Sequence, residues 1–177
     1  MEEFKLSTKR LKIRKFRQND FNDLFEYLSD TNTYRYEPGE PITLGKAKEL
    51  CIEREKGNTF FAVELKNKII GHIYLGQIKP KKLNTWEIGY IFNKTYQGKG
   101  YATESIKALV EYGFDYLGIH KIIAHCDPQN IPSWKLLERI KMKREGKQRK
   151  NIYFKKDKDK NPIWLDTYEY GILETDL

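Results

Sequence analysis

The chain has 177 residues, 39% of them hydrophobic and 14% aromatic, a composition that suits one packed domain over residues 1–177 and argues against a disordered or fibrous chain. No apolar run approaches the roughly 20 residues that span a bilayer, and the first residues lack the order of a signal peptide, so we expect a cytoplasmic protein with no membrane partner. Lysine and arginine outnumber aspartate and glutamate by 33 to 25, and the net charge of +8 favours anionic partners without identifying them.

Short strands and helices alternate along the first half of the chain. Apolar residues that alternate with polar ones predict strands, and apolar residues spaced three and four apart predict helices. The short connection Lys66–Asn67 between two apolar strands is typical of an antiparallel hairpin. In chain order we predict a strand at 10–16, a helix from a cap at Asn19 or Asp20 to residue 28, a helix from its cap Thr43 to Gly57, and strands at 59–65, 68–78 and 85–92.

A long amphipathic helix dominates the second half. Apolar residues at 106, 109, 110, 113, 114 and 117 share one face of a helix predicted from Tyr101 to Leu117. A strand at 120–126, a helix at 130–140 and closing strands at 143–154 and 163–173 follow it. Helices alternate with strands here, whereas the first half contains an antiparallel hairpin. The predicted fold class is therefore mixed α/β in a single domain.

The sequence QGKGYATE, residues 97–104, lies between the strand at 85–92 and the long helix. Gly98 and Gly100 permit positive φ angles and let a ligand approach the backbone closely. A helix that begins at Tyr101 would direct unpaired N–H groups and the positive end of its dipole to the same point, which attracts a phosphate group. The alternative is an ordinary tight turn, and the two glycines alone do not decide between them.

The same residues carry a family resemblance. QGKGYATE matches the Q/R-x-x-G-x-G/A signature of the GNAT N-acetyltransferases, which transfer acetyl from acetyl-CoA to an amine. The segments LSTKRLKIRKFRQND, WEIGYIF, CDPQNIPSWKLLERI and WLDTYEYGIL resemble the RimJ/RimL-type branch, named for ribosomal-protein N-terminal acetyltransferases, from Leu6 to Leu173. The resemblance implies a twisted mixed sheet with helices on both faces, splayed at its centre between the strands that end at Phe92 and Cys126. Acetyl-CoA is expected in that cleft as co-substrate.

The resemblance also implies contacts with CoA. Backbone groups of the strand end would pair with the pantetheine arm, the glycine loop would hold the pyrophosphate, and two lysines would meet the nucleotide phosphates. By position, the implied residues are Ile91, Phe92, Asn93, Gln97, Gly98, Lys99, Gly100, Tyr101, Ala102, Thr103, Asn130, Ser133 and Lys135. Asn130 can equally serve as a plain helix cap, and each lysine can equally be a solvated side chain.

Acetyl transfer to an amine requires an unprotonated amine, stabilisation of the oxyanion and a proton for the departing thiolate. Glu87, on the central strand, is the predicted base or the group that positions the amine, and backbone N–H groups of that strand would polarise the carbonyl. Leu137 stands where many family members have a tyrosine, and the resemblance to the RimL-type branch makes Ser133 the candidate acid, which either relays a proton to the thiolate or simply hydrogen-bonds the CoA sulfur. Lys141–Met142 replaces the family's usual Gly-Phe. We predict structural roles for His72 and His125, and no metal site.

The acceptor side is less well defined by the sequence. Tyr34, Arg35 and Tyr36, with Glu37, lie in a predicted loop and are expected to line it, together with the hairpin tip at 155–161. The resemblance leaves open whether the acceptor is a protein N-terminus, such as that of a ribosomal protein, or a small-molecule amine. It also suggests a homodimer. The alternative function is an RNA- or ribosome-binding module with a vestigial CoA site, because residues 141–160 include ten lysines and arginines.

Overall fold

Eight strands form one mixed sheet in the computed structural model, which describes residues 4–177. The strands are β1 (Lys5–Ser7), β2 (Lys12–Lys15), β3 (Phe60–Leu65), β4 (Lys68–Gln77), β5 (Thr85–Phe92), β6 (Lys121–Cys126), β7 (Lys143–Lys156) and β8 (Pro162–Leu173). The helices are α1 (Phe21–Leu28), α2 (Leu44–Lys56), α3 (Tyr101–Asp115) and α4 (Ile131–Arg139). The sheet order is β1-β2-β3-β4-β5-β6-β8-β7, with β5 and β6 parallel and the other neighbours antiparallel. The predicted mixed α/β class is confirmed.

Local signals place the ends of these elements. Lys66 and Asn67 have φ angles of 49° and 66°, the left-handed conformation that a tight hairpin requires. Thr43 caps α2 by accepting from the amide of Lys46. Asp20 occupies the N-cap position of α1, but its carboxylate instead receives the buried guanidinium of Arg14. The predicted second helix cap is therefore correct in both place and contact, and the first only in place.

The structure differs from the sequence prediction at two element boundaries. β1 was not predicted, because a strand of three residues carries too little alternation to detect; it pairs with β2 at the edge of the sheet. Helix α3 ends at Asp115 rather than Leu117, since Gly118, with a φ angle of +60°, turns the chain so that the amide of Ile119 donates to the carbonyl oxygen of Gly113.

Helices cover both faces of the sheet and enclose a separate core on each. Apolar residues of α3 and α4 pack against one face, with Ile106, Leu109 and Leu137 almost fully buried. On the other face Leu24 of α1 and Cys51 of α2 are fully buried. This arrangement confirms the expected helices on both faces. No helix within residues 4–177 is long and apolar enough to cross a membrane.

The sheet opens at its centre between β5 and β6. These parallel strands pair only at Thr85 with Lys121, Trp86 with Ile122 and Glu87 with Ile123. Beyond Glu87, β5 continues to Phe92 and remains paired with β4, whereas β6 remains paired with β8. The two halves of the sheet therefore diverge and leave a cleft lined by backbone groups, as the family resemblance implied.

Candidate active site

The loop before α3 has the backbone geometry of an anion site. Gly98 and Gly100 have φ angles of +74° and +79°, which strain any residue with a side chain. Helix α3 has no side-chain cap, and the amides from Gly98 to Thr103 donate to no acceptor within residues 4–177. A Cβ atom added at Gly98 would meet no atom within 4 Å, so the space in front of the loop is open. Unpaired donors, an open approach and a helix N-terminus coincide here.

Arg10 anchors this loop, a role that the sequence analysis did not assign. Its Nη1 donates to the carbonyl oxygen of Lys99 at 3.0 Å, and its Nε donates to Glu104 at 2.6 Å. Its guanidinium lies 4.5 Å from the ring centroid of Tyr101. Thr8 donates to the same carboxylate of Glu104 at 2.7 Å. This role depends on a contact between residues 94 positions apart in the chain, so the local sequence carries no signal for it.

Two of the residues predicted to contact CoA, Lys99 and Thr103, make side-chain hydrogen bonds at this loop. Lys99 Nζ donates to the carbonyl oxygen of Thr95 at 3.0 Å, although the side chain remains exposed. Thr103 Oγ1 accepts from Arg139 of α4 at 3.0 Å, which places a second guanidinium at the start of α3. Lys135 is exposed on α4, 5.8 Å from the ring centroid of Trp134. Arg10 and Arg139, neither of them predicted, thus both contact the loop or the first turn of α3.

The backbone of β5 alternates between its two sides, and this alternation decides which residues face the cleft. The amide of Asn93 donates to the carbonyl oxygen of Ile70 on β4 at 2.9 Å. Successive residues of a strand direct their N–H and C=O groups to opposite sides. Backbone groups of Ile88, Tyr90 and Phe92 therefore point into the cleft.

This geometry corrects part of the predicted pantetheine contact. Ile91 pairs with His72 on β4, so the backbone groups of Ile91 and Asn93 point away from the cleft. Phe92 stays on the cleft side, and its carbonyl oxygen accepts from Gln97 Nε2 at 2.9 Å. The motif predicts a strand but not the side to which each of its residues points, because that direction depends on strand pairing.

Tyr90, Cys126 and Ser133 form a cluster on the α4 side of the cleft. The Tyr90 hydroxyl lies 2.9 Å from Ser133 Oγ, and it also donates to the Ser133 carbonyl oxygen at 3.3 Å. Burial raises the pKa of Tyr90 well above its usual range, so this hydroxyl keeps its proton. Burial likewise raises the pKa of the Cys126 thiol to about 12, with Ser133 opposing the shift. Tyr90 is a functional candidate that the sequence analysis missed.

Asn130 stands at the N-cap position of α4 without capping it. Its side chain makes no cap hydrogen bond, while its carbonyl oxygen accepts from the amide of Ser133 at 3.0 Å. The plain-cap interpretation of Asn130 is therefore wrong. Its amide group is available to a ligand in the adjoining cavity, which it lines.

Glu87 lies at the point where the sheet divides, and it is not a lone carboxylate. Its Oε1 is 2.9 Å from His125 Nδ1, and His125 Nε2 is 3.3 Å from Oε2 of Glu169 on β8. The hydrogen bond to Glu87 raises the pKa of His125, opposed by burial and reinforced by Glu169. His125 thus joins two carboxylates. These groups come together through strand pairing, which the sequence around His125 does not reveal.

The predicted acceptor residues separate in the structure. Tyr34 is buried and donates its hydroxyl to the carbonyl oxygen of Leu28 at 3.0 Å, so it supports the loop and does not face the acceptor side. Arg35 is exposed, with its guanidinium 5.2 Å from the ring centroid of Tyr36. A cavity of about 90 Å³ opens beside them. Its lining includes Tyr36, Glu37, Cys126, Asn130, Phe154 and Asp166.

Comparison with known proteins identifies the family. The sequence pattern described as "Acetyltransferase (GNAT) domain" matches residues 10–143. The chain is 41% identical over 177 residues to the uncharacterized N-acetyltransferase YnaD of Bacillus subtilis, covering 96% of each chain. It is 26% identical over 158 residues to the ribosomal protein uS5-alanine N-acetyltransferase of Escherichia coli, covering 80% of this chain and 79% of that one. A solved GNAT-family acetyltransferase from Bacillus anthracis shares 36% identity at a TM-score of 0.88, covering 97% of this chain and 99% of that one.

The chain therefore belongs to the GNAT acetyltransferase family. It is an acyltransferase, and its acetyl donor is acetyl-CoA. No group of three or more histidine, cysteine, aspartate or glutamate side chains within residues 4–177 is arranged to hold a metal ion.

Proposed function

We propose that this protein transfers the acetyl group of acetyl-CoA directly to a primary amine while both substrates are bound in the cleft between β5 and β6. The observation that carries the proposal is the coincidence of two features. The strands stop pairing beyond Glu87 and Ile123, and the loop from Gly98 to Thr103 presents unpaired amides. A cleft and an anion site thus adjoin, as a long thioester with a diphosphate requires.

The structure fits this co-substrate at both ends. Amides from Gly98 to Thr103 would hold the diphosphate, with Arg10 and Arg139 fixing the loop from either side. The side chain of Asn130 and the cleft-facing N–H group of Phe92, whose carbonyl oxygen already accepts from Gln97, would bind the pantetheine arm. Bound there, acetyl-CoA supplies an activated acetyl group.

The chain's own donors would assist the reaction. Backbone N–H groups of Ile88 and Tyr90 point into the cleft and would stabilise the oxyanion that develops on the carbonyl. Ser133 would return a proton to the thiolate, with Tyr90 hydrogen-bonded to it as a second hydroxyl of the same relay. Glu87 would lie at the acceptor end of the cleft. Because its carboxylate is hydrogen-bonded to His125, a role in positioning the amine is favoured over a role in removing its proton.

The acceptor class follows from the charges beside the cleft. Glu37 and Asp127 line the cavity there, as does Asp166, which pairs with Lys147, so a cationic amine is favoured despite the basic character of the whole chain. A protein N-terminus and a small-molecule amine both satisfy this chemistry. The RimJ/RimL-type motifs and the similarity to the uS5-alanine enzyme favour the N-terminus, such as that of a ribosomal protein. Cytoplasmic location and a homodimer remain predictions.

The RNA-binding alternative is the less favoured function. Within the basic segment, Lys143 pairs with Asp176 and Lys147 pairs with Asp166, while Arg144 stacks on Tyr168 at 4.5 Å. These cations already have partners in the protein, which reduces what they offer to phosphates. An RNA-binding module would show affinity that falls steeply with salt and no acetyl transfer.

A panel of amines tests the proposal. The protein is incubated with acetyl-CoA and, separately, with spermidine, amino acids, aminoglycosides and peptides that begin with alanine or serine, and release of the CoA thiol is followed with a thiol reagent. We expect amine-dependent thiol release, and mass spectrometry of the product should show one added acetyl group on the amine. Absence of transfer to every amine, together with salt-dependent RNA binding, would contradict it.

A further inference from the structure

Glu37 lines the cavity of about 90 Å³ that Asn130 also lines. It follows Tyr36 in the loop between α1 and α2, and the same cavity is lined by Cys126 of β6 and by Asn130 at the start of α4. Burial raises the pKa values of both Tyr90 and Cys126, and the charge of Glu37 raises them further, so its carboxyl group lies within electrostatic reach of these two side chains.

The Glu37 side chain makes no hydrogen bond or ion pair with any residue in the described range 4–177, although it is half-buried. Unpaired carboxyl groups are rarely removed from water without a function, because desolvation disfavours their charged form. Burial raises the pKa of Glu37 to about 7. A carboxyl with that pKa is divided between acid and base near neutral pH, which suits proton transfer.

Glu87 differs from Glu37 in each of these respects. Its carboxylate is hydrogen-bonded to His125 at 2.9 Å, and His125 also contacts Glu169. A carboxylate held by an imidazole whose pKa is raised is a weaker acceptor for the substrate's proton. Of the two carboxylates, Glu37 is the one with no competing partner.

We propose that Glu37 is the catalytic base, a role that rests on the proposed acetyl transfer, and that Glu87 positions the acceptor through its contact with His125. The acceptor ammonium gives one proton to the Glu37 carboxylate, and the freed nitrogen lone pair attacks the thioester carbonyl. The C–N bond forms and the C–S bond breaks. The second proton of the nitrogen passes through the Ser133 hydroxyl to the departing thiolate, which leaves a neutral amide and the free CoA thiol; the proton on Glu37 returns to water.

Other titratable groups surround Glu37 from each neighbouring element. Those that line its cavity or lie within reach of its charge are Tyr36, Tyr90, His125, Cys126, Asp127 and Asp166. Tyr90 and Cys126 keep their protons near neutral pH because burial raises both pKa values. Burial alone raises the pKa of Glu37 to about 7. An inflection near pH 7 in the activity profile that disappears when Glu37 is replaced therefore reports on this residue.

The test compares three variants with wild-type enzyme on an amine that it acetylates. For Glu37→Gln we expect kcat/KM to fall at least about 100-fold at pH 7, with acetyl-CoA affinity within about twofold of wild type. In the pH profile of kcat/KM for this variant, the fall in activity on the acid side of about pH 7 should disappear. Glu87→Gln should still show this fall in kcat/KM on the acid side, and its lower activity should come mainly from a higher KM for the amine. Glu40→Gln, an exposed carboxylate in the same loop, is the matched control and should behave as wild type.

A second readout uses the protein without substrates. The raised pKa means that the folded state binds more protons than the unfolded chain between about pH 4.5 and 7, so Glu37 lowers stability as the pH rises through that window. The urea midpoint of Glu37→Gln should therefore exceed that of wild type increasingly from pH 4.5 to 7, and the same measurement verifies folding. If the wild-type enzyme is active and the pH profile of kcat/KM for Glu37→Gln is the same as that of wild type, the role of Glu37 alone is overturned. Wild type inactive on every amine would overturn the proposed function and this role together.

Discussion

Glu87 and Ile123 are the last residues at which β5 and β6 pair, and the sheet divides immediately beyond them. The division has a physical consequence, since the β5 backbone groups that would have bonded β6 are left facing an open cleft. The uncapped start of α3 follows at the far end of β5. This segment of the sequence therefore forms a strand end, a cleft and a helix N-terminus in direct succession.

Replacing Gly100 should separate the anion site from folding. Gly100→Asp places a carboxylate where the unpaired amides converge, so we expect CoA affinity to fall at least about 100-fold by calorimetry. Gly118→Asp is the matched control, because Gly118 also has a positive φ angle and lies beyond the other end of α3. Both variants should lose about 1 to 2 kcal/mol of stability from the left-handed backbone. Equal CoA affinity in the two variants would exclude the loop as the diphosphate site.

Arg10 should matter for cofactor affinity and not for the chemical step. Arg10→Ala removes the hydrogen bonds to Lys99 and Glu104 that fix the loop, and we expect about a tenfold higher Kd for acetyl-CoA with kcat at saturation unchanged. Arg10→Lys should restore little, because an ammonium lacks the planar fork that reaches both partners. A fall in kcat with unchanged affinity would contradict a purely supporting role.

Ser133 and Tyr90 should behave as one unit. Ser133→Ala and Tyr90→Phe each remove one hydroxyl of a 2.9 Å pair, and we expect each to lower kcat about tenfold or more with little effect on acetyl-CoA affinity. The double variant should be little worse than the poorer single variant, because both changes interrupt the same relay. Additive losses in a double-mutant cycle, measured under saturating substrates, would instead mean that the two hydroxyls act separately.

His125 should contribute stability that depends on pH. Its raised folded-state pKa means that the contribution is fully present below the unfolded value of about 6.5 and is lost as the pH rises through the folded value. Since the three side chains are about one-third exposed, we expect His125→Gln to cost at most about 1 kcal/mol at pH 6 and close to nothing at pH 9. Urea unfolding measures this, with His120→Gln, an exposed histidine, as control. A pH-independent difference would show that His125 acts by packing.

Much of the fold could be predicted because its signals are local. The apolar face of α3, the left-handed turn at Lys66–Asn67 and the cap Thr43 each depend on residues within a few positions of one another. The glycine loop was predicted for the same reason, since Gly98 and Gly100 adopt the positive φ angles that their residue type permits.

The remaining site contacts could not be predicted because they join distant segments. Arg10 meets Glu104 across the fold, and His125 meets Glu87 only because β6 lies beside β5. Strand pairing also decides that Asn93 faces β4, and no motif records that direction. The resemblance predicts the strands and the loop of the site, whereas the partners and directions of the side chains follow from the folded chain.

A crystal structure of the protein with CoA is the most direct test of where the co-substrate binds. We predict the diphosphate within hydrogen-bonding distance of the amides from Gly98 to Thr103, with the pantetheine arm between β5 and β6. A diphosphate bound elsewhere, or an arm that does not enter the cleft, would contradict the proposed site.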